Sequence, residues 1–320
     1  MPNPPLWTAT AYGRADEMQR LIAAGADIQE QTAGGCTALM VAAELGQDEA
    51  FQILLDKGAS VNVRSKDFET ALLFAVQEGS GEIVKLLLDK GAEINVKTRL
   101  QGDTPLSTAV ELGFEHIVKM LLDVDIANVN IRNTDGETPL YLAVKNDYDA
   151  IVLMLLDKDA DLRVKTKEGE SPLHIGAEQG DDAIVRMLLD AKADVNVRSK
   201  EGKSPLHFAA TMGNDESVQL LLDRGAVANA KTKYLGDTPL HDAAREGNET
   251  IVQMLLDNGA DINVKLRHGD TPLQTAAHFG HDAVLTLLLD KGADINASNT
   301  ERITPLHAAV KQGHEGVVQL

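Results

Sequence analysis

Apolar residues in this chain fall in a recurring double beat. From Ser171, a short run from Leu173 to Ala177 precedes Gly180. A second set follows at Ile184, Val185, Met187, Leu188 and Leu189, and mostly polar, turn-forming residues fill the interval to Lys203. This spacing predicts two short helices, the second buried on two sides. Ser171-Pro172 reads as a helix start, because a hydroxyl at the cap accepts a bond from a free backbone amide and proline fits the first turn. Gly180 ends the first helix in a left-handed conformation, and the second runs from Asp181 to Asp190. The segment Ala193 to Val197 turns the chain outward. Arg198 to Lys203 then forms a hairpin-like finger, with Gly202 at the tight reversal.

The beat returns every 33 or 34 residues. Its marker is a Thr/Ser-Pro-Leu tetrad at Thr104, Thr138, Ser171, Ser204, Thr238, Thr271 and Thr304, with degenerate copies at Pro4, Thr37 and Thr70. One helix pair cannot cover its own apolar faces, so its neighbours must do so. The pattern predicts an all-α solenoid of about ten helix-turn-helix repeats with protruding β-hairpin fingers, a single array over residues 1–320. In the first repeat Glu17 and Arg20 replace the apolar Ile184 and Met187, as a polar end cap requires. The last repeat, 304–320, is incomplete and keeps Val317, Val318 and Leu320. The expectation is a native amino end and additional repeats beyond the carboxyl end.

Composition narrows the class. Aromatic residues make up only 3%, so the core must be built from Ala, Leu, Ile and Val. A net charge of −19 disfavours nucleic acid along the whole length and adsorption to an anionic membrane. No apolar stretch is long enough for a membrane-spanning helix, and Met1 to Pro5 does not resemble a secretory signal. Cys36 is the sole cysteine, so an internal disulfide is impossible, and a reducing compartment, cytoplasm or nucleus, is the simplest reading.

The residues resemble the ankyrin repeat family over essentially the whole chain. The carrying motifs are the Thr-Pro-Leu-His tetrad, the following Ala-Ala (Ala209-Ala210, Ala243-Ala244), Gly-His (Gly280-His281, Gly313-His314), Leu-Leu-Asp (Leu255 to Asp257) and Gly-Ala-Asp-Ile-Asn (Gly259 to Asn263). The resemblance implies an interaction scaffold without naming a partner. It also implies that asparagines such as Asn62, Asn95, Asn196, Asn229, Asn263 and Asn296 can be hydroxylated. Phe68 and Arg302 stand where the finger glycine is expected and Asp147 replaces the interhelix glycine, so the two fingers concerned are expected to turn differently.

Function is sought where the repeat is broken. The nine interrepeat fingers hold 15 of the 30 basic residues but only 12 of the 49 acidic ones. The bias peaks at Lys165, Lys167, Arg198, Lys200, Lys203, Lys231, Lys233, Lys265 and Arg267. Such a row can steer an acidic partner, or it can be a set of solvated turn residues. Phe68, Leu100, Tyr234, Leu235, Leu266 and Ile303 add apolar groups near the tips, where aromatics beside cations suit an interface. Met212, Arg245 and Phe279 at inner-helix ends offer a floor beneath the basic fingers.

The remaining constellations carry little chemistry. The tetrad histidines His174, His207, His241 and His307 recur at one place, which predicts hydrogen bonds tying one repeat to the next. The repeated Asn are expected to bond backbone at the finger base. His278 and His281 are separated by Gly280, so no metal site is expected. No catalytic residues and no cofactor are predicted. The reading is a protein-binding scaffold that presents fingers and concave inner-helix face to a partner or extended peptide, with an acidic contact surface as one option. The alternatives are an enzyme or small-molecule binder using a groove around Asp242, Arg245, His278 and Phe279, and a purely structural spacer.

Overall fold

The computed structural model describes residues 3–319, apart from the side chains of Val317 and Gln319. The expectation placed on Val317 and Leu320 lies outside the described residues. Among these there are twenty helices and no strand. Contacts group the chain into two compact units, Met1–Asp161 and Leu162–Leu320. In each, a short first helix is followed by a second, as in Pro172–Gln179 with Asp182–Asp190, and Pro205–Met212 with Asp215–Asp223. First helices pack on first helices and second on second, each on its sequence neighbours.

The core follows from the double beat. Leu173, Leu206, Leu240 and Leu273, one per repeat, are at most 1% exposed, and Ile184, Val218, Ile251 and Val284 are fully buried. Each such side chain contributes about 1.5–3 kcal/mol by leaving water. Paired alanines (Ala209-Ala210, Ala243-Ala244) are also fully buried, which lets neighbouring first helices approach closely. Leu306, the equivalent of Leu273, is 56% exposed, since within these residues no further pair stacks on it.

The fingers are closed turns instead of two-stranded hairpins. Ser199 N–H donates to Lys203 O at 2.9 Å and Gly202 N–H to Ser199 O at 3.0 Å, which leaves too little paired backbone for a strand. Adjacent fingers are joined by one backbone bond each: Lys200 N–H to Glu168 O (3.0 Å), Lys233 N–H to Glu201 O (2.7 Å) and Arg267 N–H to Leu235 O (2.8 Å). The approach is close enough that a Cβ on Gly169 would lie 2.7 Å from Lys200 N. The extra residue of the longer fingers is taken up inside the turn, as Thr232 N–H reaches Asp237 O at 2.8 Å.

Phe68 and Arg302 do not change the turn. They adopt the left-handed conformation themselves, at φ 63° and 61°, and Asp147 does likewise at 62°. Ser65 N–H still closes its finger on Glu69 O at 2.9 Å. The repeat therefore imposes glycine geometry on residues that find it costly, at about 1–3 kcal/mol each.

Candidate functional site

Three of the tetrad histidines, His174, His207 and His241, tie one repeat to the next, while His307 caps its own helix at Thr304. His174 Nδ1 accepts the Ser171 N–H at 3.1 Å, and its Nε2 lies 3.1 Å from Lys203 O in the next finger. His207 and His241 repeat this toward Asp237 O (3.2 Å) and Asp270 O (3.3 Å). A carbonyl can only accept, so Nε2 carries the hydrogen and Nδ1 is the acceptor. Gln274 demonstrates the same division of labour: its Oε1 accepts Thr271 N–H at 3.0 Å and its Nε2 donates to Ile303 O at 2.7 Å. Burial drives His174, His207 and His241 down to about 4, keeping them neutral.

The Gly-His pair is equally spoken for. His281 Nε2 meets Arg245 O at 2.8 Å and His314 Nε2 meets His278 O at 2.9 Å, so each ties to the end of the preceding first helix. Asn196 holds Gly225 O at 3.1 Å and accepts Val227 N–H at 2.9 Å, and Asn62 and Asn229 clamp the next repeat in the same way. Asp190 pairs with Arg224 at 2.8 Å, one repeat on.

Many of the finger cations are stitches. Lys165 Nζ donates to Arg198 O (2.8 Å), and Arg198 donates to Gly202 O of its own finger (2.7 Å) and to Lys231 O of the next (3.5 Å). Lys265 reaches Ser298 O (3.2 Å) and Arg267 reaches back to Lys233 O (2.6 Å). Lys167 and Lys200 are exposed. Lys203 sits 5.8 Å over the Phe208 ring and Lys233 5.5 Å over Tyr234. Leu266, expected as a tip hydrophobe, is buried at 7% exposure because its finger folds it inward, whereas Tyr234 (61%) and Leu235 (51%) are exposed.

Met212 (56%) and Phe279 (47%) are exposed at the ends of their first helices. Phe279 makes an edge contact with His278, ring centres 5.0 Å apart. Sequence reasoning undervalued the amino-terminal unit, where Tyr12 (70%), Leu45 (45%) and Leu112 (44%) occupy the equivalent register. Their position directly after the last residue of the first helix, one before the interhelix glycine, was the available signal.

Arg245 belongs to a different structure from the one foreseen. It bridges two carboxylates, donating from Nη2 to Asp237 Oδ1 at 2.6 Å and from Nη1 to Asp242 Oδ1 at 2.7 Å. These residues, with Glu201, Lys203, Thr232, Tyr234 and Leu235, line a cleft of about 400 Å³ between two fingers and the helix Pro239–Glu246. The two acids respond oppositely. Burial pushes Asp242 up to about 7 despite Arg245. Burial also pushes Asp237 upward, but the Arg245 bond and charge outweigh it and hold Asp237 below its usual range. Burial lowers Arg245, yet its two carboxylate partners more than compensate.

A stack of helix pairs whose geometry returns from repeat to repeat defines a helical repeat protein. The family model for ankyrin repeats (three copies) matches residues 6–98, 72–166, 126–199, 173–266 and 240–320. The chain belongs to the ankyrin repeat family, whose members generally serve as protein interaction modules and are generally not enzymes. No curated protein matches the chain. No helix among the described residues is long and apolar enough to cross a membrane.

Proposed function

We propose that residues 162–320 bind an extended segment of a protein partner along the face between fingertips and first-helix ends. The observation that carries this reading is the exposure of Met212, Tyr234, Leu235 and Phe279 within one unit, at positions where neither turn nor core requires a large apolar group. Interfaces concentrate their energy in such anchors. A stiff stack presents them already ordered, so the ordering entropy is not lost on binding. Lys200 and Lys233 supply a positive rim that favours an acidic flank in the partner. Arg198 and Arg267 contribute field while their hydrogen bonds hold the fingers together. The working compartment is reducing, cytoplasm or nucleus, in keeping with the single Cys36.

The test separates surface from scaffold. Tyr234→Ala with Phe279→Ala should abolish selection of peptides from a random display library, and Lys200→Glu with Lys233→Glu should shift the selected peptides away from acidic flanks. All four positions are exposed, so thermal stability should be unchanged. Equal peptide recovery by wild type and the aromatic double variant would overturn the reading. The enzymatic alternative has one favourable observation, the upward-shifted Asp242, but that carboxyl is engaged by Arg245 and is set to no nucleophile.

A further inference from the structure

The cleft at Asp242 contains an imbalance that the fold does not explain. Asp242 lies on the helix Pro239–Glu246 with its side chain only 4% exposed, and its Oδ2 has no hydrogen-bond partner. A buried acceptor left unmatched bears its desolvation cost without a compensating bond, the more so when it is charged. The one guanidinium nearby, Arg245, is divided between two carboxylates, taking Oδ1 of each. Of the remaining acceptors, Asp237 Oδ2 meets the Thr232 hydroxyl at 3.3 Å, and only Asp242 Oδ2 is unmatched.

The surrounding charges set the sign of what would fit. Arg245 stands on the same helix, Asp237 at the end of the preceding finger, and Lys203 and Glu201 on the finger before that. The adjacent His241 is neutral. Lys203 is directed toward the Phe208 ring. With Asp242 ionised, three acids face two bases and the cleft is short of one positive charge; with Asp242 protonated the lining charges balance. A carboxylate would keep Asp242 protonated, whereas a cation would take up its ionised form and its unmatched Oδ2.

We propose that this cleft is a subsite for the basic side chain, arginine or lysine, of the extended partner segment. This deepens the binding reading above and rests on it. The incoming cation enters past Tyr234 and Leu235, whose exposed faces receive its aliphatic stem. Arg245, 31% exposed on a long flexible stem, is the cover: it yields Asp242 while keeping Asp237. An arginine fork is the better fit, because it can span both oxygens of one carboxylate. Occupancy also favours the ionised form of Asp242, so binding releases a proton around neutrality.

The probe is N-acetyl-arginine amide, added to the full chain and followed by NMR at Arg245 Nε–H and at the Asp237 and Asp242 amides, with N-acetyl-glutamine amide as the neutral control. Saturable shifts are expected for the arginine probe only. Its affinity should be up to about tenfold higher at pH 8 than at pH 6, the ratio of ionised Asp242 for a group near 7. Asp242→Asn should remove both the shifts and the pH dependence; Asp237→Asn, at a less buried position, should weaken the same shifts and serves if the first variant does not fold. Arg245→Met, which removes the cover, should tighten binding. Absence of a saturable shift, or shifts that persist unchanged in the folded Asn variants, overturns the subsite. Peptides recovered on the Met212, Tyr234 and Phe279 face with no enrichment in basic residues would defeat the subsite and leave the peptide-binding reading standing.

Discussion

Burial holds His174, His207 and His241 near 4, against about 6.5 in an unfolded chain, so between those values the unfolded state binds the additional protons. Stability from these residues is complete above pH 6.5 and is lost as pH falls through 4, at up to about 3 kcal/mol per histidine. Asp242 works in the opposite direction. Raised to about 7, it holds a proton that the unfolded chain has released, so its contribution weakens stability as pH rises from about 4 to 7. Urea melts between pH 7 and pH 4.5 should show net proton uptake on unfolding, and Asp242→Asn should steepen the slope. A flat profile in both proteins would contradict the neutral-histidine assignment. Phe68 poses a separate question at this scale. Its backbone sits at φ 63° with the ring 47% exposed, so little packing offsets the strain. Phe68→Gly should therefore raise stability by up to about 1 kcal/mol. A loss in chemical denaturation would mean that the ring contributes more than its exposure indicates.

At the scale of the element, each helix pair is fastened to the next by side chains that reach one period along the chain. Asn196 exemplifies this, bonding both Gly225 O and Val227 N–H. Asn196→Ala should cost about 1 kcal/mol and should speed hydrogen exchange at the Val227 amide more than at the amides of its own repeat. The helices, their caps and the fastening role of the histidines were legible in the sequence, because repetition at a fixed interval marks a residue as scaffold. The fate of the finger cations was not. Lys165, Arg198 and Lys265 donate to backbone carbonyls 33 residues away, and a carbonyl leaves no trace in residue identity. The Asp242-Arg245 pair had a visible signature, an acid and a base three apart on one helix. The third member, Asp237, reaches the pair only because the finger folds back over the helix start.

For the molecule as a whole, the net charge of −19 conceals a division of labour. Acidic residues crowd the helices, while the basic ones concentrate in the fingers, where several serve as cross-finger donors. The proposed binding face accordingly rests on fewer residues: Lys200, Lys233, Tyr234, Met212 and Phe279 are exposed, while Arg198 and Arg267 also hold the fingers. Resemblance to the family made the architecture readable before any coordinates. It left the contact surface unread, because that surface is built from the positions at which repeats differ.

The orientation of the tetrad histidines has a mechanical consequence. The rings of His174, His207 and His241 each join two fastenings, a cap through Nδ1 and a seam through Nε2. A proton added to the ring goes to Nδ1, because Nε2 already carries one. The backbone amide at the cap then faces donor against donor, with only the cap hydroxyl able to turn and accept, while the seam to the next finger is a stronger, charge-assisted bond. Acid would thus fray the first helices that begin at Ser171, Ser204 and Thr238 while leaving their seams to the next finger fastened. The first casualty is the inside of the rung, and the joint between rungs gives way last.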